Sequence, residues 1–446
     1  MVKGITGKIL LADLTKKSIT TIKTNEEWIA KFAGGAGYAA RLLFEYFKSG
    51  IPEPLSSDNP FIVMTGPMTG VSAFGSKTVI VARSPLTTGL GKATFAGSFG
   101  LELKKAGYDG IVIKGSSEEP VYIVISDDHA DIKTAKDLWG LDALKTTAKI
   151  RNTLGKEFKA ITIGQAGERL IRIAAIVSSE RRAAGRTGLG AVMGSKKLKA
   201  IAVKGTKNIE VYDSETLRKL NSEWLVKATT SPRGKGLNEY GTAGGVSTFA
   251  VTGNLPIKHW TKGVFEEAEE ISGKTMVERY RYGPGKRVCG KGVLCSIACE
   301  RLVQFKDSRY GEYVGKGPEY ETVAALGSFL LNSDLVSIIK MNELCDRFGI
   351  DTISTGEVIA WAMEAYEKGI ITKEDTGGIE LRWGDPNVIM KLIELIGTKE
   401  GFGALLAEGV KRASEKIGRG TEKFAMHVKG LEIPMHCLLY TSDAAD

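Results

Sequence analysis

The sequence predicts an α+β chain, with a β-sheet-rich domain over residues 1–207 and a mainly α-helical domain over 208–424. Three observations carry this. Up to about residue 207, short β-branched runs bounded by Gly, Pro, Asp or Ser dominate. From about 208 the apolar residues recur instead at i, i+3 and i+4. The early runs are not regularly separated by helices, which disfavours a doubly wound parallel sheet and favours layered antiparallel or mixed sheets.

Taken in order, GKILLADLTKKSITTIKT predicts two strands joined by a polar turn. NPFIVMTG, SKTVIVARSP, YDGIVIKG, PVYIVISDD, AITIGQAG, IRIAAIVSS and LKAIAVKGT predict further strands. Helices are expected around 26–48, 98–107 and 136–154. In the second domain, SETLRKLNSEWLVKATT, SGKTMVERYRYG, NSDLVSIIKMNELCDRFG, STGEVIAWAMEAYEKG, NVIMKLIELIGTKEG and GALLAEGVKRASEKIG predict helices. Several start at Ser or Asn and stop at Gly, as end-capping requires. No repeat of fixed period is visible, and the terminal CLLYTSDAAD fits no element.

The 446 residues suit about three domains. With 43% hydrophobic and 25% charged residues, the composition is that of a soluble globular protein. No apolar run nears the ~18 residues of a membrane span, and the start lacks the features of a secretory signal. The formal charge of +9 is spread along the chain. Nucleic-acid binding would concentrate it; phosphorylated cofactors or an acidic protein partner suit a diffuse excess equally well. The 54 glycines imply many tight turns and close backbone approaches. Five cysteines without a signal peptide point to a reducing cytoplasm, where grouped cysteines usually hold metal.

Three of them are grouped. VCGKGVLCSIACER places Cys289, Cys295 and Cys299 at x5 and x3 spacing. Soft thiolates suit an Fe–S cluster first and zinc second, with His259 as a fourth zinc ligand. The bland reading is three small residues in a turn. RRAAGRTGLGAVMGSKKLKA (181–200) combines glycines, which let backbone amides approach an anion, with Arg182, Arg186, Lys196, Lys197 and Lys199. It lacks a Walker ending and a GxGxxG, so it is either an unfamiliar phosphate site or a turn with a solvated basic face. GGAGYAA, TGPMTGVSAFGSK and SPLTTGLGKATFAGSFG are each ordinary turns alone. Together with 181–200 they suggest a backbone-lined surface for a flat polar ligand. In CDRFGIDTISTGE, Asp346 and Asp351 flank a chain reversal; they either accept N–H donors of a heterocycle or simply end one helix and cap the next. Glu319 and Glu321 precede an apolar helix, where a buried glutamate is a proton-transfer candidate and an exposed one a dipole partner.

As a set, GPMTG, SPLTTG, AGYDGIVIKG, RRAAGRTGLGAVMGSKKLKAIAVKG, CSIACER, GPEYET and CDRFGIDTIS, in this order, resemble the aldehyde:ferredoxin oxidoreductase family from residue 4 to His436. The resemblance implies tungsten (or molybdenum) on a bis-pyranopterin, one [4Fe–4S] cluster and a Mg2+ bridging the pterin phosphates. It makes 1–207 the pterin-cofactor base domain and 208–424 a helical domain bearing the Fe–S cysteine loop. Residues 425–446 become the start of a truncated third domain with an unrelated tail. Arg182, Ala184, Gly185 and Arg186 would lie on the phosphate side, with the backbones of Thr94 and Ala184 near the Mg2+. Asp346, Gly349 and Asp351 match the pterin motif. Cys289, Cys295 and Cys299 match cluster ligands, Cys289 only with three residues inserted after it. Glu321 matches the glutamate beside the metal. Ser76 or Lys77 stands where the family has an Arg. The family's fourth cluster cysteine lies beyond the end of this chain, which is therefore expected to be C-terminally incomplete.

The implied function is oxidation of an aldehyde to a carboxylic acid, with Glu321 as proton acceptor and ferredoxin as electron acceptor. Ferredoxin and a small aldehyde are the implied partners, nucleic acid and membrane are not, and a homo-oligomer is compatible. Two other readings stand beside it: an inactive fragment that only binds pterin phosphates, and a zinc-stabilised binding protein.

Overall fold

The computed structural model describes residues 3–290 and 292–436. The predicted tail and Cys437 lie outside them. The described chain divides into two compact units: residues 3–229 with 288–296 and 346–349, and residues 230–287 with 297–345 and 350–436.

The first unit holds two six-stranded sheets. The first contains β1 (Lys8–Asp13), β2 (Ser18–Lys23), β3 (Phe61–Thr65), β4 (Thr78–Arg83), β5 (Leu90–Phe95) and β6 (Gly110–Lys114), in the spatial order β2-β1-β6-β3-β4-β5. The second contains β7 (Val121–Ser126), β8 (His129–Thr134), β9 (Lys159–Thr162), β10 (Ile176–Ser178), β11 (Ala183–Ala184) and β12 (Leu198–Lys204), in the order β11-β10-β9-β12-β7-β8. These are the same topology. In each sheet the first and last strands pair in parallel, β1 with β6 and β7 with β12, and every other pair is antiparallel. Helices fall at matching places too: Gly35–Phe47 and Ala143–Leu154 after the second strand, Phe99–Lys105 and Leu189–Ser195 before the last. The repeated topology carries no fixed sequence period, and its loops differ in length between the halves.

Both faces of these sheets are covered, which explains apolar runs without polar alternation. Along β3, Phe61 and Val63 join the core shared with the second sheet, while Ile62 and Met64 pack under Tyr38, Leu42 and Leu43 of helix Gly35–Phe47. The second sheet repeats this: Ile123 and Ile201 face the shared core, and Tyr122, Ala200 and Ala202 lie with Ile150 of helix Ala143–Leu154.

The second unit is mainly helical. Its central helix Thr352–Glu367 is buried from Ile353 to Ala365 and starts from an Asp351 side chain that accepts from the Ile353 amide. Pro386–Thr398 is capped likewise by Asp385. A three-stranded antiparallel sheet of β13 (Arg281–Arg287), β14 (Glu300–Asp307) and β15 (Gly311–Lys316) packs against helix Gly273–Tyr280, and a short hairpin of β16 (His427–Val428) and β17 (Leu431–Glu432) meets the central helix. Among the described residues no helix is long and apolar enough to cross a membrane.

The strands expected from the early runs are present, and so are the expected helix regions. The helix expected over 26–48 is two, because Ala33 and Gly34 are left-handed (φ 56° and 81°). The one expected in GALLAEGVKRASEKIG breaks at Gly409 (φ 84°). Helix Ser214–Thr230 clusters with the sheets, tied by Asn221, which donates to Val71 O and accepts from Ala73 N, both at 2.8 Å.

Candidate functional site

In the first unit the terminal strands β5 and β11, one from each sheet, lie against each other. They bring together the two segments expected near the phosphates. Thr94 pairs with Val79 on β4, and Ala184 with Ile176 on β10. Thr94 also lines a cavity of about 310 Å³ with Gly34, Gly35, Gly66 and Lys77. Helix Gly35–Phe47 begins there at Gly34 (φ 81°), with no side chain capping it. A Cβ on Gly34 would come within 2.8 Å of the Pro67 ring. Uncapped amides, a nearby lysine and a glycine cradle are a donor set for an anion, so these residues fit a phosphate-bearing cofactor.

The 181–200 stretch forms the β10–β11 turn and the following helix. Ser178 Oγ accepts from Arg182 N at 3.1 Å, and Arg181 is left-handed (φ 59°). Gly185 precedes a single helical turn at Arg186–Gly188, and Gly188 (φ 71°) sits so close to Arg172 that a Cβ would lie 2.0 Å from its carbonyl oxygen. The Asp346 carboxylate is 3.4 Å from Arg181 Nε. Gly349 (φ 71°) accepts from Ala175 N at 2.8 Å, and a Cβ there would meet Gly164 N at 2.9 Å. Asp346 thus meets the residue before Arg182, and Gly349 meets the residue before Ile176, the β10 partner of Ala184. The basic run is not one patch, however. Lys196 and Lys199 are buried: Lys196 donates to Ser57 O and Gly115 O, and Lys199 to Leu141 O and the Glu168 carboxylate.

Cys289 and Cys295 belong to the same unit and hydrogen-bond thiol to thiol. That bond, followed by burial, pushes the Cys289 thiol up, with Arg182 and the Ser76 hydroxyl opposing. Two thiols in contact beside a guanidinium are chemically suited to share a soft metal or a cluster, whose charge would deprotonate them. Ser76, at the position expected to hold a family arginine, therefore touches the thiol loop. Cys299 groups with the second unit, where its carbonyl packs against Gly241 and its thiol lies near Arg301. No group of three acidic, His or Cys side chains able to hold a metal is assembled among the described residues. His259 does not suit the expected fourth zinc position, because both ring nitrogens are engaged, Nε2 with Glu357 at 2.9 Å and Nδ1 with Glu364.

In the second unit Glu321 lies in the first turn of helix Tyr320–Leu326 and on the wall of a cavity of about 730 Å³. Its Oε2 accepts from Met435 N at 2.9 Å, and its Oε1 meets His436 Nδ1. This contact raises the His436 pKa against the opposing effect of burial. Tyr320 donates its hydroxyl to Met435 O at 2.9 Å, and burial raises its pKa well above the ordinary phenol value. Both glutamates are half-buried, and Glu319 accepts from the Thr242 hydroxyl at 2.5 Å. Asp351 accepts from Ile353 N at 3.1 Å and Ser354 Oγ at 2.7 Å, as a helix cap. Sequence reasoning did not pair His436 with Glu321. The two are 115 positions apart, and no spacing rule links them.

Residues 9–205 match the family described as aldehyde ferredoxin oxidoreductase, N-terminal domain, and residues 219–439 match aldehyde ferredoxin oxidoreductase, domains 2 and 3. The chain is 42% identical over 437 residues to a tungsten-containing aldehyde ferredoxin oxidoreductase of Pyrococcus furiosus, covering 97% of this chain and 70% of that protein. It is 37% identical over 462 residues to the WOR-like subunit of an aliphatic sulfonate oxidoreductase from the same organism, covering 96% and 71%. Among solved structures it resembles a chain of the active-site complex BamBC of benzoyl coenzyme A reductase, at TM-score 0.81 and 27% identity, covering 97% of this chain and 66% of that one.

Proposed function

The chain belongs to the aldehyde ferredoxin oxidoreductase family, a family of oxidoreductases, and on that premise we propose that it oxidises an aldehyde and water to a carboxylic acid, releasing two protons and two electrons, with ferredoxin as acceptor in the cytoplasm. The observation that carries the reading is Glu321, a carboxylate on a cavity wall with His436 on one oxygen and a backbone amide on the other.

When bound, a tungsten (or molybdenum) bis-pyranopterin would supply the two-electron oxidation and a [4Fe–4S] cluster the one-electron exit. Arg182, Gly185 and Arg186 would hold the pterin phosphates, and the carbonyls of Thr94 and Ala184 a Mg2+ joining them. Asp346, Gly349 and Asp351 would face the pterin. Cys289, Cys295 and Cys299 would ligate the cluster. Glu321 takes the substrate-derived proton at a carboxylate oxygen, and His436 Nδ1 donates a hydrogen bond to Oε1 that orients the carboxylate. Tyr320, through Met435, fixes the short segment that carries His436.

The test is anaerobic purification of the chain from cells supplied with tungstate, followed by metal analysis and aldehyde turnover with a viologen acceptor. Glu321→Gln should keep its iron and tungsten yet lose turnover by about 10²–10⁴-fold, the usual worth of a placed acid–base group. Undiminished turnover would refute the role of Glu321. Zinc without iron or tungsten would refute the reading as a whole.

A further inference from the structure

Lys105, Arg151, Lys156, Lys159 and Lys204 of the first unit converge on one concavity of about 610 Å³. Its wall is completed by Gly292, midway in sequence between Cys289 and Cys295 and exposed to solvent. Four of the cations sit on regular elements, at the end of helix Phe99–Lys105, in the last turn of helix Ala143–Leu154, at the start of β9 and at the end of β12, and Lys156 lies in the turn before β9. The two lining carboxylates are occupied. Glu102 accepts from Gly205 N at 3.1 Å, and Glu157 pairs with Lys204 at 3.0 Å. Lys159 also pairs with Glu180 at 3.4 Å, so five cations face three carboxylates, a balance that leaves a positive field over the exposed turn of the thiol loop.

We infer that this concavity is the docking surface for an acidic one-electron carrier protein, a ferredoxin in the reading above, on which the inference rests. Each aldehyde releases two electrons, so two oxidised carriers must visit in turn, each leaving with one. A carrier has to come and go quickly, and complementary charge at the rim speeds encounter without demanding tight binding. The thiol loop turns outward at Gly292 beside these cations, which favours an electron carrier over nucleic acid as the anionic partner.

The probe is a recombinant acidic bacterial ferredoxin, titrated calorimetrically against the full chain at about 50 mM and about 500 mM salt, where screening differs severalfold. Combining Lys105→Glu, Arg151→Glu and Lys156→Glu should weaken low-salt binding at least tenfold and flatten its salt dependence. Lys17→Glu with Lys133→Glu, from another concavity of the same unit, should change it less than twofold. Carbodiimide cross-linking of the unaltered chain should join ferredoxin carboxylates to Lys105, Lys156 or Lys204, and this result does not depend on any variant folding. The inference is overturned by a triple variant within twofold of the parent, by cross-links elsewhere, or by a single-stranded DNA oligonucleotide binding there more tightly than ferredoxin. Viologen-linked aldehyde oxidation by a chain that does not bind ferredoxin would also overturn it while sparing the aldehyde oxidation and its assignment to Glu321. Ferredoxin docked here on a chain inactive with viologen would do the reverse.

Discussion

His259 is buried between two carboxylates of one helix, Glu357 and Glu364, with 2% of its surface exposed. Burial alone would lower its pKa. Charge attraction and hydrogen bonds from Glu357 and Glu364 outweigh it and raise the value from 6.5 to about 9. The folded state therefore holds this proton more tightly than the unfolded chain. The resulting stability is fully present below about pH 6.5 and is lost as pH rises through about 9, a difference worth about 3 kcal/mol at ~1.4 kcal/mol per tenfold. Lys104 and Lys196 run the other way: burial lowers each to about 8, so the folded state gains relative to the unfolded one as pH rises above that. A raw stability curve mixes these trends. The quantity to measure is the difference between parent and His259→Gln, from urea denaturation followed by circular dichroism. At about pH 6 the variant should be less stable by about 3–5 kcal/mol, since it leaves Glu357 buried without its cation. By about pH 9.5 the gap should shrink by about 3 kcal/mol. A gap that stays constant across that range would refute the imidazolium assignment.

Gly188→Ala should destabilise the first unit by about 3 kcal/mol or more, because a Cβ at φ 71° would overlap the Arg172 carbonyl; a melting temperature equal to the parent's would contradict the packing described. Lys199→Met should cost about 3–5 kcal/mol by stranding buried Glu168, and adding Glu168→Leu should recover a large part of that in the same melt. Asp385→Ala removes the side chain that accepts from Asn387 N and Val388 N, and chemical denaturation should show a loss of about 1 kcal/mol.

The strands with continuous β-branched runs were legible because both sheet faces are buried, so the runs needed no alternation. β5 was hidden: it alternates exposed Leu90, Lys92 and Thr94 with buried Gly91, Ala93 and Phe95, and its glycines read as a loop. β13 was hidden for a similar reason, since RYGPGKR carries a proline and two glycines and is largely exposed at a sheet edge. At the candidate site, Cys289, Cys295 and Arg182 were named from local motifs and Thr94 and Ala184 from the family resemblance, and the first unit brings the thiols and Arg182 together and sets the strands of Thr94 and Ala184 side by side. What local motifs could not supply was long-range pairing. The contacts of Glu321 with His436 and of His259 with Glu357 depend on tertiary closure, and the burial of Lys196 and Lys199 depends on which loops fold over them.

The doubled strand order bears on how the chain assembles during synthesis. Every strand of the first sheet lies before Gly115, so that sheet can complete its hydrogen bonds while the second is still in the ribosome. Its inner side, with Phe61, Val63, Ile80 and Ile113, stays bare until β12 emerges some ninety residues later. That interval is the vulnerable stage of its birth. Slowing translation between the halves should prolong it, and a chaperone that binds apolar surface should be found on nascent chains of that length.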